Sequence, residues 1–194
     1  MNETIKSIME RRSIRKFKQE QITDEELNLI LKAGTYAPCA GGMQFPVMVV
    51  LQKKDVIEQL GKVNRKIFFE TFTPGNLTVS KAQPSIIDDN KITSAFYGAP
   101  TLITVFAPKT YPYGAQDGSA LIQNMLLAAY SLGIGACFIA RAAETFATEA
   151  GKEIVRDWNV SEEYIAVGHC ILGYPEGALP AAKPRKEFIV RRIK

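Results

Sequence analysis

Histidine is almost absent from this chain of 194 residues: His169 stands alone. One imidazole cannot supply a metal-ligand cluster, and no Ser, His and Asp grouping is suggested. His169 lies in an apolar, strand-like run and reads as a core or interface residue. Cysteine is scarce too. Cys39, Cys137 and Cys170 form no C-x-x-C pair, which argues against a disulfide framework and against a zinc site, so no metal is expected. Several fingerprints are missing: no G-x-G-x-x-G, no G-x-x-x-x-G-K-[ST] and no G-x-S-x-G. Residues 118–140 lack charge, but Gln123, Asn124, Ser131, Gly133 and Gly135 interrupt them. A membrane-spanning helix wants roughly 20 predominantly apolar residues without a turn. The stretch therefore reads as a buried helix followed by a buried strand, and no membrane contact is expected. Nothing after Met1-Asn2-Glu3-Thr4 resembles the apolar region of a signal peptide, so the expected location is cytoplasmic.

The composition, 46% hydrophobic and 23% charged, is ordinary for a soluble globular protein, and the length suits one domain over residues 1–194. Charge is unevenly spread. Residues 1–18 and 183–194 carry twelve Lys or Arg against three Glu, a net of +9, whereas residues 19–182 carry twelve against seventeen, a net of −5. The positive surplus thus comes entirely from the two ends. The N-terminal cluster has a specific form, Arg11-Arg12-Ser13-Ile14-Arg15-Lys16-Phe17. Guanidinium forks beside a hydroxyl suit a phosphate. If the fold joins the two ends, they make one anion site. A solvated tail, or a loose nucleic-acid arm, is the competing reading. Ile8, Met9, Ile14 and Phe17 bracket the arginines and would pin them to the protein body, so no nucleic-acid partner is expected.

Periodicity orders the rest. Residues 3–11 read as helix, and the basic cluster as an extended segment with Arg11, Ser13 and Arg15 on one side and Ile14 on the other. Thr23 with Glu26 forms a capping box for a helix ending near Tyr36, before Pro38. Residues 46–51 read as a strand buried on both faces and residues 54–72 as a helix. Residues 73–90 read as a long excursion outside the core, of the kind that forms lids or mobile segments. Residues 100–107 read as a second buried strand. Residues 116–132 form a helix apolar nearly all round, which suggests that a second subunit supplies one wall. A strand at 135–139, a helix at 142–157, a strand at 164–172 and an alternating strand at 188–193 complete the chain. This order gives an α/β or α+β sheet covered by helices. Asp88-Asp89 and Glu162-Glu163 read as solvated surface. Cys39 lacks a histidine partner to activate its thiol.

The opening segment resembles the nitroreductase family of flavin enzymes, whose first helix runs into R-R-S-x-R-x-F. Four further stretches resemble the family in order. They are Ala37-Pro38-Cys39-Ala40 with Gln44 and Pro46; Gly98-Ala99-Pro100 before a strand; Asp117 through Asn124 to Ser131-Leu132-Gly133-Ile134-Gly135; and Gly173-Tyr174-Pro175 followed by Lys183-Pro184-Arg185-Lys186.

The resemblance implies an α+β fold, a central, mainly antiparallel sheet covered by helices, in an interlocked homodimer with FMN in clefts at the subunit interface. It implies that Arg11, Arg12 and Ser13 contact the phosphate and ribityl chain, and that Arg15 sits near N1 and O2 of the ring as an electrostatic stabiliser. Lys183 and Arg185 correspond to C-terminal phosphate contacts. Pro38, Cys39, Ala40, Gly42 and Gln44 correspond to a turn facing the flavin from the partner subunit, and Ile139, Ala140 and Arg141 to the ring edge by N5. The turn departs from the family's common S-S-x-N-x-Q-P, and Phe138 stands where many members have Trp. The implied activity is NAD(P)H-dependent oxidoreduction with a small electron-poor acceptor, a nitroaromatic or quinone, in a ping-pong cycle. A reductive dehalogenase, a flavin-fragmenting enzyme and a non-catalytic FMN-binding protein remain as alternatives.

Overall fold

The structure, a computed structural model, describes residues 1–193. Ten elements follow one another: α1 (Glu3–Glu10), α2 (Asp24–Thr35), β1 (Val47–Leu51), α3 (Lys54–Thr71), β2 (Thr101–Pro108), α4 (Gly114–Ser131), β3 (Gly135–Ile139), α5 (Ala142–Ala147), α6 (Glu149–Arg156) and β4 (Tyr164–Gly173). The strands form one antiparallel sheet in the order β1-β2-β4-β3. Central β2 alternates its apolar side chains between two packed layers, which is why its sequence is apolar but for Thr101 and Thr104. Ile103 and Val105 meet Ile30 of α2 and Leu121, Ile122 and Met125 of α4 on one face. Leu102 on the other face meets Ile57 and Leu60 of α3, together with Phe96. The fold is α+β.

The basic N-terminal segment is part of this architecture. The Asn2 side chain caps α1 by accepting from the Ile5 N–H at 3.0 Å, and the chain leaves the helix extended at Arg11. Ser13 then pairs in parallel with Ala136 on the outer edge of β3, where the Ile14 N–H donates to the Ala136 carbonyl at 3.0 Å. This approach requires Gly135, because a Cβ there would lie 2.9 Å from Ile14 Cγ2. Ile14 and Phe17 are 3% and 5% exposed. Each such side chain stabilises the fold by about 1.5–3 kcal/mol through burial.

Four expectations need correction. β1 is not buried on both faces; it is a half-exposed edge strand, because only β2 pairs with it. The helix expected over 142–157 is two helices, divided at Thr148, whose hydroxyl donates to the Thr145 carbonyl and accepts from the Gly151 N–H. The stretch between α3 and β2 is without helix or strand, yet it is not outside the core: Gln83, Ser85 and Ile86 are buried. Polar bonding rather than apolar packing holds it. The Asp88 carboxylate accepts from the Val79, Ser80 and Ser85 N–H groups and from the Ser85 hydroxyl, so Asp88 is no idle surface charge. Partial burial would raise its pKa, but these bonds together hold it below the ordinary carboxylate value. Residues 188–193, finally, form no strand; they are exposed and pair with nothing among the described residues. Lys194 lies outside the described residues.

The sequence predicts α4 apolar nearly all round. The helix buries Leu121, Ile122, Met125, Leu126 and Ala129 but leaves Gln116, Ser119, Gln123 and Ser131 exposed, so its outer face is open in the protomer.

Candidate functional site

Both charged ends of the chain meet at one cleft of about 580 Å³. Arg11, Arg12, Ser13 and Arg15 form one wall, Val79, Ser80, Lys81 and Ala82 another, and Pro180 to Lys183 with Arg185 a third. Six cationic side chains line it, and among the described residues no carboxylate does. None of the six takes part in an ion pair among the described residues. Arg11 registers the crowding. Burial above all pushes its pKa down; Cys137 pulls the other way, and Arg12 and Arg185 add lesser downward pushes. Like charges gathered without counterions repel one another, and an anion relieves that repulsion.

Arg12 is oriented toward such a role. Its Nη1 donates to the Met9 carbonyl at 2.8 Å and to the Arg11 carbonyl at 2.9 Å, closing off the end of α1. Its Nε is buried, with no partner among the described residues. A buried donor left unpaired costs about 1–3 kcal/mol, so this atom calls for an acceptor. Arg15 is fixed from two sides. Its guanidinium carbon lies 5.8 Å from the centre of the Tyr97 ring, and its Nη1 reaches the Gln83 carbonyl at 3.4 Å. Behind this wall, burial raises the Cys137 pKa despite Arg15, Ser13 and Arg11, so its thiol stays protonated. Lys183 is tied more lightly, by one exposed hydrogen bond of 3.0 Å to the Thr78 carbonyl.

Other expected site residues lie elsewhere in the protomer. Cys39 leads into a single 3-10 turn, Ala40–Gly42, with Gly41 and Gly42 at positive φ. Asp117 at the start of α4 accepts from the Ala40 N–H at 3.1 Å, and the Tyr111 hydroxyl donates to the Ala40 carbonyl at 2.9 Å. Pro38, Gly42 and Gln44 are exposed, and none of these turn residues lines the basic cleft. Ile139 ends β3, the strand along which Ser13 runs, and Ala140 and Arg141 follow it. The Asn64 amide holds this turn by donating to the Ala140 carbonyl at 2.9 Å and to the Thr145 hydroxyl, and Arg141 adopts a φ of 64°. Arg141 turns toward Phe68 and Glu144 rather than into the cleft. Within one protomer, therefore, the structure joins the two basic ends and leaves the Cys39 turn apart.

A second cleft, of about 570 Å³, lies between Phe106, Phe146 and Tyr164. It has similar size but no comparable convergence of like charge, so chemistry rather than volume singles out the basic one. His169 contributes to neither. It is fully buried between Phe96 and Phe146, its Nδ1 2.9 Å from the Thr104 hydroxyl. Among the described residues no group of His, Cys, Asp or Glu could hold a metal, and no helix is long and apolar enough to cross a membrane.

Residues 8–174 match the nitroreductase family, and the match begins within α1 and ends just past β4. The chain belongs to that family. Among its curated relatives, a provisionally named NADH dehydrogenase/NAD(P)H nitroreductase of Archaeoglobus fulgidus is 29% identical over 91% of this chain and 87% of its own. An NADPH-flavin oxidoreductase of Vibrio harveyi is 27% identical over 95% and 70%. Among solved structures, an FMN-bound nitroreductase from Bacteroides fragilis superposes with a TM-score of 0.82 at 26% identity over all of both chains. One with bound FMN from Desulfitobacterium hafniense gives 0.80 at 28%, covering 98% of this chain and all of the other.

Sequence reasoning misses several residues that line or brace this cleft. Lys81 lies in the 73–90 stretch, which reads from sequence as an excursion outside the core. Gln83 and Tyr97, which fix Arg15, sit far from it in sequence, and nothing local marks them. Asn64 reads as one more polar residue on an amphipathic helix, and only burial shows its task.

Proposed function

We propose that the basic cleft binds the phosphate and ribityl chain of FMN, and that the chain uses NADH or NADPH to reduce a small electron-poor acceptor such as a nitroaromatic or quinone. Family membership and the FMN-bound relatives support FMN as cofactor and NAD(P)H as donor. The observation that carries the placement is the unpaired charge: six cations and the serines Ser13 and Ser80 line one space in which the described residues place no carboxylate. These donors fit a phosphate dianion.

The chemistry FMN supplies when bound is hydride acceptance at N5 and delivery to a second substrate, in a ping-pong cycle. The protein's own residues bind and orient. Arg11, Arg12 and Ser13 on their pinned strand, with Lys183 and Arg185 opposite, hold the phosphate through charge-assisted bonds. Arg15, fixed by Tyr97 and Gln83, supplies a permanent positive charge toward the ring; such a charge acts best when it need not reorganise. No side chain here acts as a nucleophile, in keeping with the protonated Cys137.

The assembly is a homodimer in this reading. α1 buries none of its residues, and Ile5, Ile8 and Met9 on it are exposed. Phe188, Ile189, Val190 and Ile193 are between 74% and 98% exposed. An apolar segment without a pairing strand favours a neighbour's sheet edge or apolar face. A second subunit would also bring a Cys39 turn to the flavin. Light scattering on the purified protein should give the mass of two chains.

The decisive experiment adds FMN to the apoprotein and then NADH or NADPH without oxygen. Tight uptake with a flavin spectrum, followed by bleaching, is expected. Protein that takes up no FMN contradicts the reading; uptake without bleaching by either nucleotide leaves a passive FMN binder instead.

A further inference from the structure

Gln83 lies in the irregular stretch between α3 and β2, yet it is fully buried and both ends of its amide are engaged. Its Oε1 accepts from two successive backbone N–H groups, Arg15 and Lys16, each at 2.7 Å. Its Nε2 donates to the carbonyls of Glu176 at 3.1 Å and Ala178 at 3.4 Å. Its own carbonyl meets the Arg15 guanidinium, and its N–H donates to the Ser80 hydroxyl at 3.0 Å. One side chain thus joins three segments far apart in sequence: the cationic N-terminal strand, the excursion that floors the cleft, and the point from which the C-terminal basic stretch departs.

A buried amide is an expensive way to fill space, since an apolar side chain of the same volume would need no partners. What the amide adds is direction. Its single acceptor oxygen fixes the backbone on which Arg15 is mounted, and its two donors fix the root of the opposite jaw. The loop holding Gln83 is itself braced by the four bonds to Asp88, so the brace does not depend on a ligand.

We propose that Gln83 is a positioning residue of the flavin site. It holds the Arg15 wall and the root of the Lys183–Arg185 wall in one frame, and so sets both the affinity for FMN and the field that Arg15 exerts on the ring. This rests on the reading of the basic cleft as the FMN site.

Two variants test it. Gln83→Met keeps volume and loses every side-chain hydrogen bond; Gln83→Glu keeps an acceptor for Arg15 and Lys16, loses the two donors and adds negative charge beside Arg15. FMN dissociation constants are measured on the apoproteins by fluorescence quenching, the midpoint potential of bound flavin against a reference dye, and apoprotein stability in urea. Gln83→Met should weaken FMN about tenfold, the effect of losing one well-placed bond's worth of free energy. Gln83→Glu should move the midpoint potential to more negative values than in wild type or Gln83→Met, because its charge offsets part of the Arg15 field. A purely structural residue would lower urea stability in both variants while leaving affinity and potential unchanged, and that result overturns the proposal. If Gln83→Met does not fold, the near-isosteric Gln83→Glu decides by its potential alone. Wild-type protein that binds no FMN overturns the reading of the cleft, and this inference with it; wild-type binding with unchanged variants overturns this inference alone.

Discussion

The two ends of the chain carry six basic side chains each, yet they are built in opposite ways. At the N-terminal end the cations alternate with anchors. Ile14 and Phe17 are sunk in the core, the backbone bonds to β3 and to Tyr174, and Gln83 fixes Arg15. At the C-terminal end the apolar residues that should anchor are themselves exposed, Ile189 at 90%, and among the described residues the bond from Lys183 to Thr78 is its tether. Equal charge therefore does not mean equal preorganisation. The first end is a rigid receptor wall that the protomer completes by itself. The second is a wall whose apolar residues lie uncovered in the described structure.

The sharpest way to break this contrast is to remove one anchor from each end. Ile14→Ala should destabilise the protein by about 3 kcal/mol, the ordinary cost of emptying a buried site. Ile189→Ala should cost the isolated protomer almost nothing. If the tail packs on a second subunit, however, its cost should appear as weaker association, so that the variant dissociates at a higher protein concentration than wild type. Equal, concentration-independent losses in the two variants would mean that the tail packs on its own chain.

Arg12→Ala comes next. It deletes the unpartnered Nε and one fork of the wall, and charge-assisted bonds of this kind are worth about 1.5–3 kcal/mol. FMN affinity measured by fluorescence quenching should fall by about 10- to 100-fold, while Arg191→Ala, with no place in the cleft, should leave it within about twofold. Comparable losses in the two would show that general positive charge, not the built wall, holds the ligand.

Acid separates both ends from the core, because arginines keep their charge at any pH where proteins fold. His169 does not. Burial lowers its pKa from 6.5 to about 3, and its Nε2 has no partner. The neutral form is the one the fold accepts, so this stability is complete above pH 6.5 and is lost progressively as the pH falls toward 3. At pH 5 the loss amounts to about 2 kcal/mol. Urea unfolding at pH 7.5 and 5.0 should show it, and His169→Gln, which cannot charge, should flatten the difference. A variant with the wild-type slope would assign the acid sensitivity to carboxylates instead.

How much of this molecule is legible in its sequence depends on the range of the interactions. The capping box of α2, the apolar run of β2 and the extended R-R-S-x-R-x-F segment announce themselves locally, and they stand at nearly the predicted bounds. Where the decisive partner is distant, sequence reasoning fails. β1 is as apolar as β2, and only its place at the sheet edge leaves it half exposed. The segment at 188–193 is as apolar as a short strand, yet no described strand pairs with it. Gln83 is the extreme case: its polar neighbours mark a loop, and its burial follows from Arg15 and Ala178, sixty-eight residues before it and ninety-five after. The cleft's cationic character is visible in the sequence; the frame that aims it is not.

The smallest expected effect tests the contrast most finely. Lys183 donates to a backbone carbonyl at the surface, and exposed charges on flexible stems contribute only about 0.2–1 kcal/mol. Lys183→Ala should therefore weaken FMN by no more than about fivefold, well below Arg12→Ala, even though both delete one cation from the same cleft. The deficit should shrink further as salt is raised, because a solvent-exposed charge is screened while the half-buried Arg12 is shielded from ions. If Lys183→Ala instead matches Arg12→Ala at every ionic strength, the C-terminal wall is as rigid as the N-terminal one once the ligand or a second subunit is present. The asymmetry seen in the protomer would then belong to the protomer alone.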